Sequence, residues 1–250
     1  MSERNFREML EAKWAEGKFV CVGLDSEVSK IPTALIPKGR YIKFGDLQFE
    51  FNRAIVEATK DLVCAYKPNF AFYLSCTEAG FSANPSADGF VALQRTVEYI
   101  KKEASDVPIV LDCKDADIGN TNNGYAECFF KRLGMDAITV NPYLGGEALQ
   151  PFLKYKEKGI FVLCRTSNPG AGEFQGRLTE VEPEEAQFLE GKGSSVELAT
   201  FGLSNVDRTP FTKSYLVTAL RVAKYWNGSS NCGLVVGATV PNELREVREL

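Results

Sequence analysis

The sequence predicts an α/β fold: a (β/α)8 TIM barrel whose last two βα units are absent from the chain. Three observations predict it. Six short β-rich segments read as continuous apolar runs, helical patterns of ten or more residues separate them, and each run closes on polar residues. Continuous apolar runs point to parallel strands covered on both faces, since a strand with one wet face alternates instead. Polar groups gathered at the C-terminal ends of successive strands favour a barrel over an open doubly wound sheet, because barrel chemistry sits at that rim.

Phe6, Met9, Leu10 and Trp14 fall at helical spacing behind Ser2, a candidate N-cap, so the chain opens with a helix packed on the body. The strands follow as "KFVCVGLD" ending at Asp25, "VCAYKPN" at Asn69, "VPIVLDCKDAD" near Asp117, "AITVNPY" at Tyr143, "IFVLCRTSN" at Asn168 and "CGLVVGAT" at Thr239. Helical patterns occupy roughly 45–62, 87–104, 121–133, 146–157 and 213–226, and "PNELREVREL" starts another. Residues 1–250 read as a single barrel domain, with a long loop insertion over 171–212 after strand 5. A loop of that length at the C-terminal rim is either an active-site cover or a decorative insertion.

With 29 basic and 33 acidic residues, a net charge of −4 and no basic block, the chain is not a nucleic-acid binder. No apolar run is long enough to span a bilayer, and "MSERNFREMLEAKW" carries charges where a signal peptide needs its apolar stretch. A cytoplasmic protein without membrane contact is expected. The seven cysteines form an odd set with no CxxC pair, which predicts reduced, mostly buried thiols and no structural zinc.

The chemistry concentrates in "LDCKDADIGNT", residues 111–121. Side chains alternate along a strand, so Asp112 and Lys114 point the same way, into the mouth if this is a barrel strand, while Asp117 lies beyond it. The plain alternative is a solvated charged turn. A calcium loop starting at Asp115 fails, because its sixth and twelfth positions are Asn120 and Ala126 where Gly and Glu are needed. "GAGEFQG" is one residue too long for GxGxxG, and no P-loop occurs. The chain contains no histidine, which excludes histidine triads and histidine-zinc hydrolysis. A lysine among carboxylates stays protonated: a weak imine nucleophile, but a good proton donor and a good stabiliser of a developing anion. Carbanion protonation fits.

In order along the chain, "CVGLD" (21–25), "YKPNFAFY" (66–73), "LDCKDADIGNT" (111–121), "VNPYLGGEALQPFL" (140–153), "FVLCRTSNPGAGEFQ" (161–175) and "GLVVGAT" (233–239) resemble the orotidine 5′-monophosphate decarboxylases of the longer bacterial type. The resemblance implies a homodimeric barrel that converts orotidine monophosphate to uridine monophosphate without metal or organic cofactor. It implies that Asp112 and Lys114 lie beside the reacting carbon, that Lys67 joins their charge array, and that Asp117 crosses from the partner subunit. Lys114 would deliver the proton, Asp25 would bind the ribose and Ser167 the pyrimidine, and Ile118 and Thr121 would also reach over from the partner.

The departures are Asp115 and Ala116 between Lys114 and Asp117, Ser26 where relatives commonly carry proline, and the stretch after "GATVPNELREVREL". There the family continues with a phosphate-gripping glutamine loop and arginine, and on that ground the sequence reads as a fragment. Two other readings share the sequence: a non-catalytic truncated homologue acting as a binding or structural module, and a metal-dependent sugar-phosphate relative. "CRTSNPG" and the lack of histidine count against the second.

Overall fold

The computed structural model describes residues 4–35, 43–75, 85–200 and 208–250. Six strands run parallel in one succession: β1 (Val20–Leu24), β2 (Val63–Pro68), β3 (Val110–Leu111), β4 (Ala137–Val140), β5 (Gly159–Arg165) and, after an insertion, β9 (Cys232–Val236). The pairs β1–β2, β3–β4, β4–β5 and β5–β9 are continuous ladders, and β2 joins β3 through isolated parallel bridges Tyr66↔Ile109 and Asn69↔Asp112. This is the order and sense of six consecutive βα units of a (β/α)8 barrel. Among the described residues the barrel does not close: β1 and β9 each have a strand on one side only.

That open edge corrects the expectation of strands buried on both faces. β2, β3 and β4 are buried almost throughout, whereas Val20 and Cys21 of β1 are exposed and β9 is half-buried along its length. Cys21 is thus an exception among the thiols, while Cys64 and Cys164 are buried and all described cysteines are free; Cys76 lies outside the described residues.

The helices are α1 (Phe6–Ala15), α2 (Phe44–Thr59), α3 (Phe70–Leu74), α4 (Pro85–Glu103), α5 (Gly119–Ala126), α6 (Gly145–Leu153), α7 (Pro183–Gly191), α8 (Ser214–Arg221) and α9 (Pro241–Glu249). α5 and α8 run on as π-helical turns, Glu127–Arg132 and Val222–Trp226, so the patterns at 121–133 and 213–226 each span two pieces. The main core is filled by Val56, Leu93, Ile100, Phe129, Ile138 and Phe152, all at most 1% exposed, where helices cover the parallel strands. Burying a side chain of this size stabilises by about 1.5–3 kcal/mol.

The first helix is capped by Asn5, whose side-chain oxygen accepts from the Glu8 N–H at 3.2 Å; Ser2, the expected cap, lies outside the described residues. α1 seals the N-terminal end of the strands. Phe6 packs with Cys64, Ala65, Val110 and Ala137, and edge-on against Phe161. Beside it, Arg4 donates from Nε and a terminal nitrogen to the fully buried carboxylate of Asp136 at 2.9 and 2.7 Å, and Asp136 also accepts the Ile109 N–H.

The segment expected to be a long loop carries its own structure. After a 3-10 turn at Pro169–Glu173 come β6 (Leu178–Glu180), α7, β7 (Glu197–Thr200) and β8 (Arg208–Lys213), with the strands forming an antiparallel sheet in the order β6-β8-β7. A second core of Cys164, Leu189, Tyr215, Leu216, Leu220 and Val247 ties α7, α8 and α9 to β5.

Candidate active site

Asp112 is the best-held side chain at the C-terminal ends of the strands. Its backbone is fixed to the end of β2 on both sides: its N–H donates to the Pro68 carbonyl at 2.9 Å, and its carbonyl accepts from Phe70 N–H at 3.1 Å. The same junction starts α3, where the Asn69 side chain caps the Ala71 N–H. The Asp112 carboxylate, 8% exposed, accepts from Lys67 Nζ at 2.7 Å on one oxygen. Its other oxygen accepts from Lys114 Nζ at 2.6 Å and from Thr139 Oγ1 at 2.9 Å. Burial pushes this carboxyl up, but the hydrogen bonds and charges of Lys114 and Lys67 outweigh burial and hold it below the ordinary aspartate value.

Lys114 stands in the left-handed backbone region, with φ of 56°, which costs a non-glycine residue about 1–2 kcal/mol. Thr139 steadies it, accepting the Lys114 N–H on the same hydroxyl at 2.9 Å. β3 pairs with β4 as Val110↔Ala137 and Leu111↔Ile138, and the next step in register sets Asp112 beside Thr139. The alternation rule applied to "AITV" had the signal for Thr139, a hydroxyl facing away from its apolar neighbours within a strand. It needed the strand register to connect it to Asp112.

The bland reading of 112–117 as a solvated turn fails for Asp112, which is buried and paired twice. It fits Asp117 better within one protomer: that carboxylate accepts from the adjacent Ile118 N–H at 2.6 Å and forms no described ion pair. Asn122 holds this turn from below. Fully buried, it accepts the Asp117 N–H at 2.8 Å and donates to the carbonyls of Asp117 at 2.6 Å and Ala148 at 2.7 Å. Ile118 and Thr121 are exposed at the start of α5 and do not meet the array. Asp115, the extra acid in the motif, is half-buried, and burial raises its carboxyl above the ordinary value.

Asp25 is exposed just past β1. The turn it occupies is anchored by buried polar groups: Ser26 hydrogen-bonds Asn52, and Gln48 donates to the Ser26 carbonyl at 2.9 Å. Asn52 also donates to Tyr73 and Thr96 at 2.9 and 3.1 Å, and Tyr73 to the Leu24 carbonyl at 3.1 Å. Ser167 is exposed after β5, packed against Gly237, where an added Cβ would come within 2.9 Å of the serine Cβ. Beside it Gln175 folds back and accepts the Thr166 N–H at 2.8 Å. The residues Lys67, Asp112 and Lys114 therefore form one array, with Asp25 and Ser167 on neighbouring strand ends and Asp117, Ile118 and Thr121 on the flank.

A separate cavity of about 600 Å³ lies between the β4–α6 turn, β5 and α8, lined by Asn141, Tyr143, Phe174, Gln175, Arg221 and Trp226 among others; none of the array residues borders it. Among the described residues, no cluster of three metal-ligating side chains occurs, and no helix is long and apolar enough to cross a membrane.

What this array can do is limited and specific. Two ammonium groups on one carboxylate give positive charge held at a strand-end mouth and a proton to donate, which is what a developing anion needs. The chain is similar to known proteins. It is 38% identical over 246 residues to the orotidine 5′-phosphate decarboxylase of Ralstonia nicotianae, covering 98% of this chain and 73% of that one. It is 41% identical over 249 residues to that of Thermomicrobium roseum, covering 98% and 71%. In structure it matches the OMP decarboxylase of Leishmania donovani with a TM-score of 0.68 and 32% identity, over 98% of this chain and 75% of that one. Residues 18–249 match the model of one family, and with these relatives the match shows that the chain belongs to the orotidine 5′-phosphate decarboxylase / HUMPS family.

Proposed function

We propose that this chain decarboxylates orotidine 5′-monophosphate to uridine 5′-monophosphate, the last step of de novo pyrimidine nucleotide synthesis, with Lys114 as proton donor. The observation that carries the reading is the Lys67–Asp112–Lys114 array at the ends of β2 and β3. In the reaction the bond between ring C6 and the carboxylate breaks heterolytically. CO2 leaves, the electron pair stays on C6, and the Lys114 ammonium gives C6 its proton. The neutral lysine then takes a proton from solvent. No electrons are gained or lost overall, so no redox partner is needed, and in this reading the lysine's charge and proton serve where other decarboxylations use a cofactor as electron sink.

Stabilisation is greatest if the ammonium is in place before charge develops. Asp112 does this work from both sides, holding Lys114 on one oxygen and Lys67 on the other. Asp25 binds the ribose and Ser167 the pyrimidine in this reading. Asp117, Ile118 and Thr121 serve the site of a second copy in a cytoplasmic homodimer. The exposure of Ile118 (63%), Tyr143 (84%) and Leu144 (48%) at the starts of the packed helices α5 and α6 supports a partner on that flank. The chain acts as one barrel domain with the 171–212 module inserted at its rim.

The test is CO2 release from orotidine monophosphate by the purified protein and by Lys114→Ala. The wild type is expected to turn over, and the variant to lose activity while keeping its thermal unfolding temperature. Equal turnover in the two would overturn the assignment of Lys114.

A further inference from the structure

We propose that Thr139 is a positioning residue for the proton donor: through one hydroxyl it aims the Asp112 carboxylate and holds the Lys114 backbone in its left-handed turn. The inference rests on the decarboxylation reading of the same array. Three observations carry it. Thr139 is 4% exposed, so its hydroxyl has no water to fall back on. It donates to the Asp112 oxygen that also receives Lys114 Nζ, at 2.9 and 2.6 Å. It accepts the N–H of Lys114 itself at 2.9 Å, at the residue whose φ is 56°.

A hydroxyl has one proton and two lone pairs, so it can do both at once, and no apolar side chain of the same shape can do either. The consequence is a closed loop. Lys114 is tied to Thr139 by its backbone, to Asp112 by its ammonium, and Asp112 is tied back to Thr139. Without the hydroxyl the Lys114 N–H loses its partner, the turn is free to relax toward ordinary backbone, and the ammonium moves with it. Misplacement of a reacting group by about 1 Å costs on the order of 100-fold in rate.

The hydroxyl also bears on the charge of Asp112. Among the described residues, the titratable groups that interact with that carboxylate are Lys67 from β2, Cys21 from β1, and Cys113 and Lys114 from its own segment. Thr139 is the neutral donor among them, and a donor to the ionised form favours ionisation. Removing it therefore raises the pH at which Asp112 protonates.

The experiment compares wild type, Thr139→Val and Thr139→Ser. Valine keeps the β-branched shape that suits a buried strand, and serine keeps the hydroxyl. For Thr139→Val, kcat is expected to fall about 10- to 100-fold, the loss of hydrogen bonds to a charged pair, while KM for orotidine monophosphate stays within about twofold. The acid limb of kcat/KM and the 13C-carboxyl titration of Asp112 should both move to higher pH. Thr139→Ser should restore all three readouts. A folded Thr139→Val protein with wild-type kcat and an unmoved Asp112 titration overturns the inference, as does a Thr139→Ser protein no better than valine. Should valine prevent folding, Thr139→Ala, which adds no bulk, supplies the same readouts. Absence of CO2 release from wild type would sink the decarboxylation reading alone, since the Asp112 titration still decides whether Thr139 acts on the carboxylate.

Discussion

Replacing Asp112 by asparagine keeps the side-chain shape and removes one charge. The carboxylate now receives Lys67 at 2.7 Å, Lys114 at 2.6 Å and Thr139 at 2.9 Å. An amide has one acceptor oxygen, so one of the two lysines would face an N–H2 group, donor against donor. Coulomb attraction at about 2.7 Å with an effective dielectric near 20 is about 6 kcal/mol per pair. The lysine side chains are 33% and 46% exposed, and screening cuts each net contribution to about 1 kcal/mol. The variant is also relieved of burying a charge, which offsets part of that loss. Net destabilisation is expected to be about 1 kcal/mol, or about 2–4 °C in Tm for a chain of this size. Catalysis should suffer far more. With the ammonium no longer held, kcat is expected to fall by about 100-fold or more. CO2 release and thermal unfolding on the same preparation test both halves. Turnover within about threefold of wild type would refute the claim that Asp112 sets the proton donor.

Three further outcomes follow from the same geometry. Asp112 titrates below its ordinary value of 3.8 in the folded protein, so its contribution to stability is full above that value and is lost as pH falls through the lower folded value; acid unfolding of Asp112→Asn should show less of this loss below about pH 4. Asn122→Ala removes three hydrogen bonds from a fully buried side chain and should cost about 2–3 kcal/mol, with faster amide exchange at 115–118 as its local signature; unchanged exchange there would count against its role as the turn's anchor. In Gly159→Ala an added Cβ would overlap the Phe6 ring and lie 2.8 Å from the Ala137 Cβ, so α1 must shift at a cost of about 1–3 kcal/mol; an unchanged Tm would refute the close packing under the strands.

The strands were legible because each carries its own record. Apolar runs such as "AITV" at 137–140 need no partner to announce themselves, and burial of all four residues matches. Lys67, Asp112 and Lys114 were legible as a group through resemblance; strand alternation named Asp112 and Lys114 together for the wrong reason, since β3 ends at Leu111 and Lys114 reaches Asp112 from a left-handed turn beyond the strand. What sequence did not disclose depends on contacts between distant segments. Thr139 becomes meaningful only when register brings β4 beside β3, and Asn122 only when α5 packs on α6. The antiparallel sheet inside 171–212 has short, half-exposed strands such as Leu178–Glu180, whose three residues show no apolar periodicity; pairing with β8 makes them strand. Asn5 displaced the expected cap because helix α1 starts where Phe6 meets its pocket, and that pocket is tertiary.

The two ends of the parallel strands divide the work in a way that explains where strain can be tolerated. At the N-terminal end every device is one of stability: Phe6 fills the base, and Arg4 neutralises Asp136, which is itself bonded to the Ile109 backbone. At the C-terminal end the chain keeps what a stability-driven design would discard, a left-handed lysine and two cations sharing one carboxylate. Such strain persists only where the surroundings over-determine it. Here they do: Pro68 of β2 and Phe70 of α3 grip the Asp112 backbone, β4 supplies Thr139, and Asn122 clamps the turn that follows. The same three supports make Lys114 reproducible in position, so the rigidity that pays for the strain is also what lets one ammonium act as a fixed proton donor rather than a mobile surface charge.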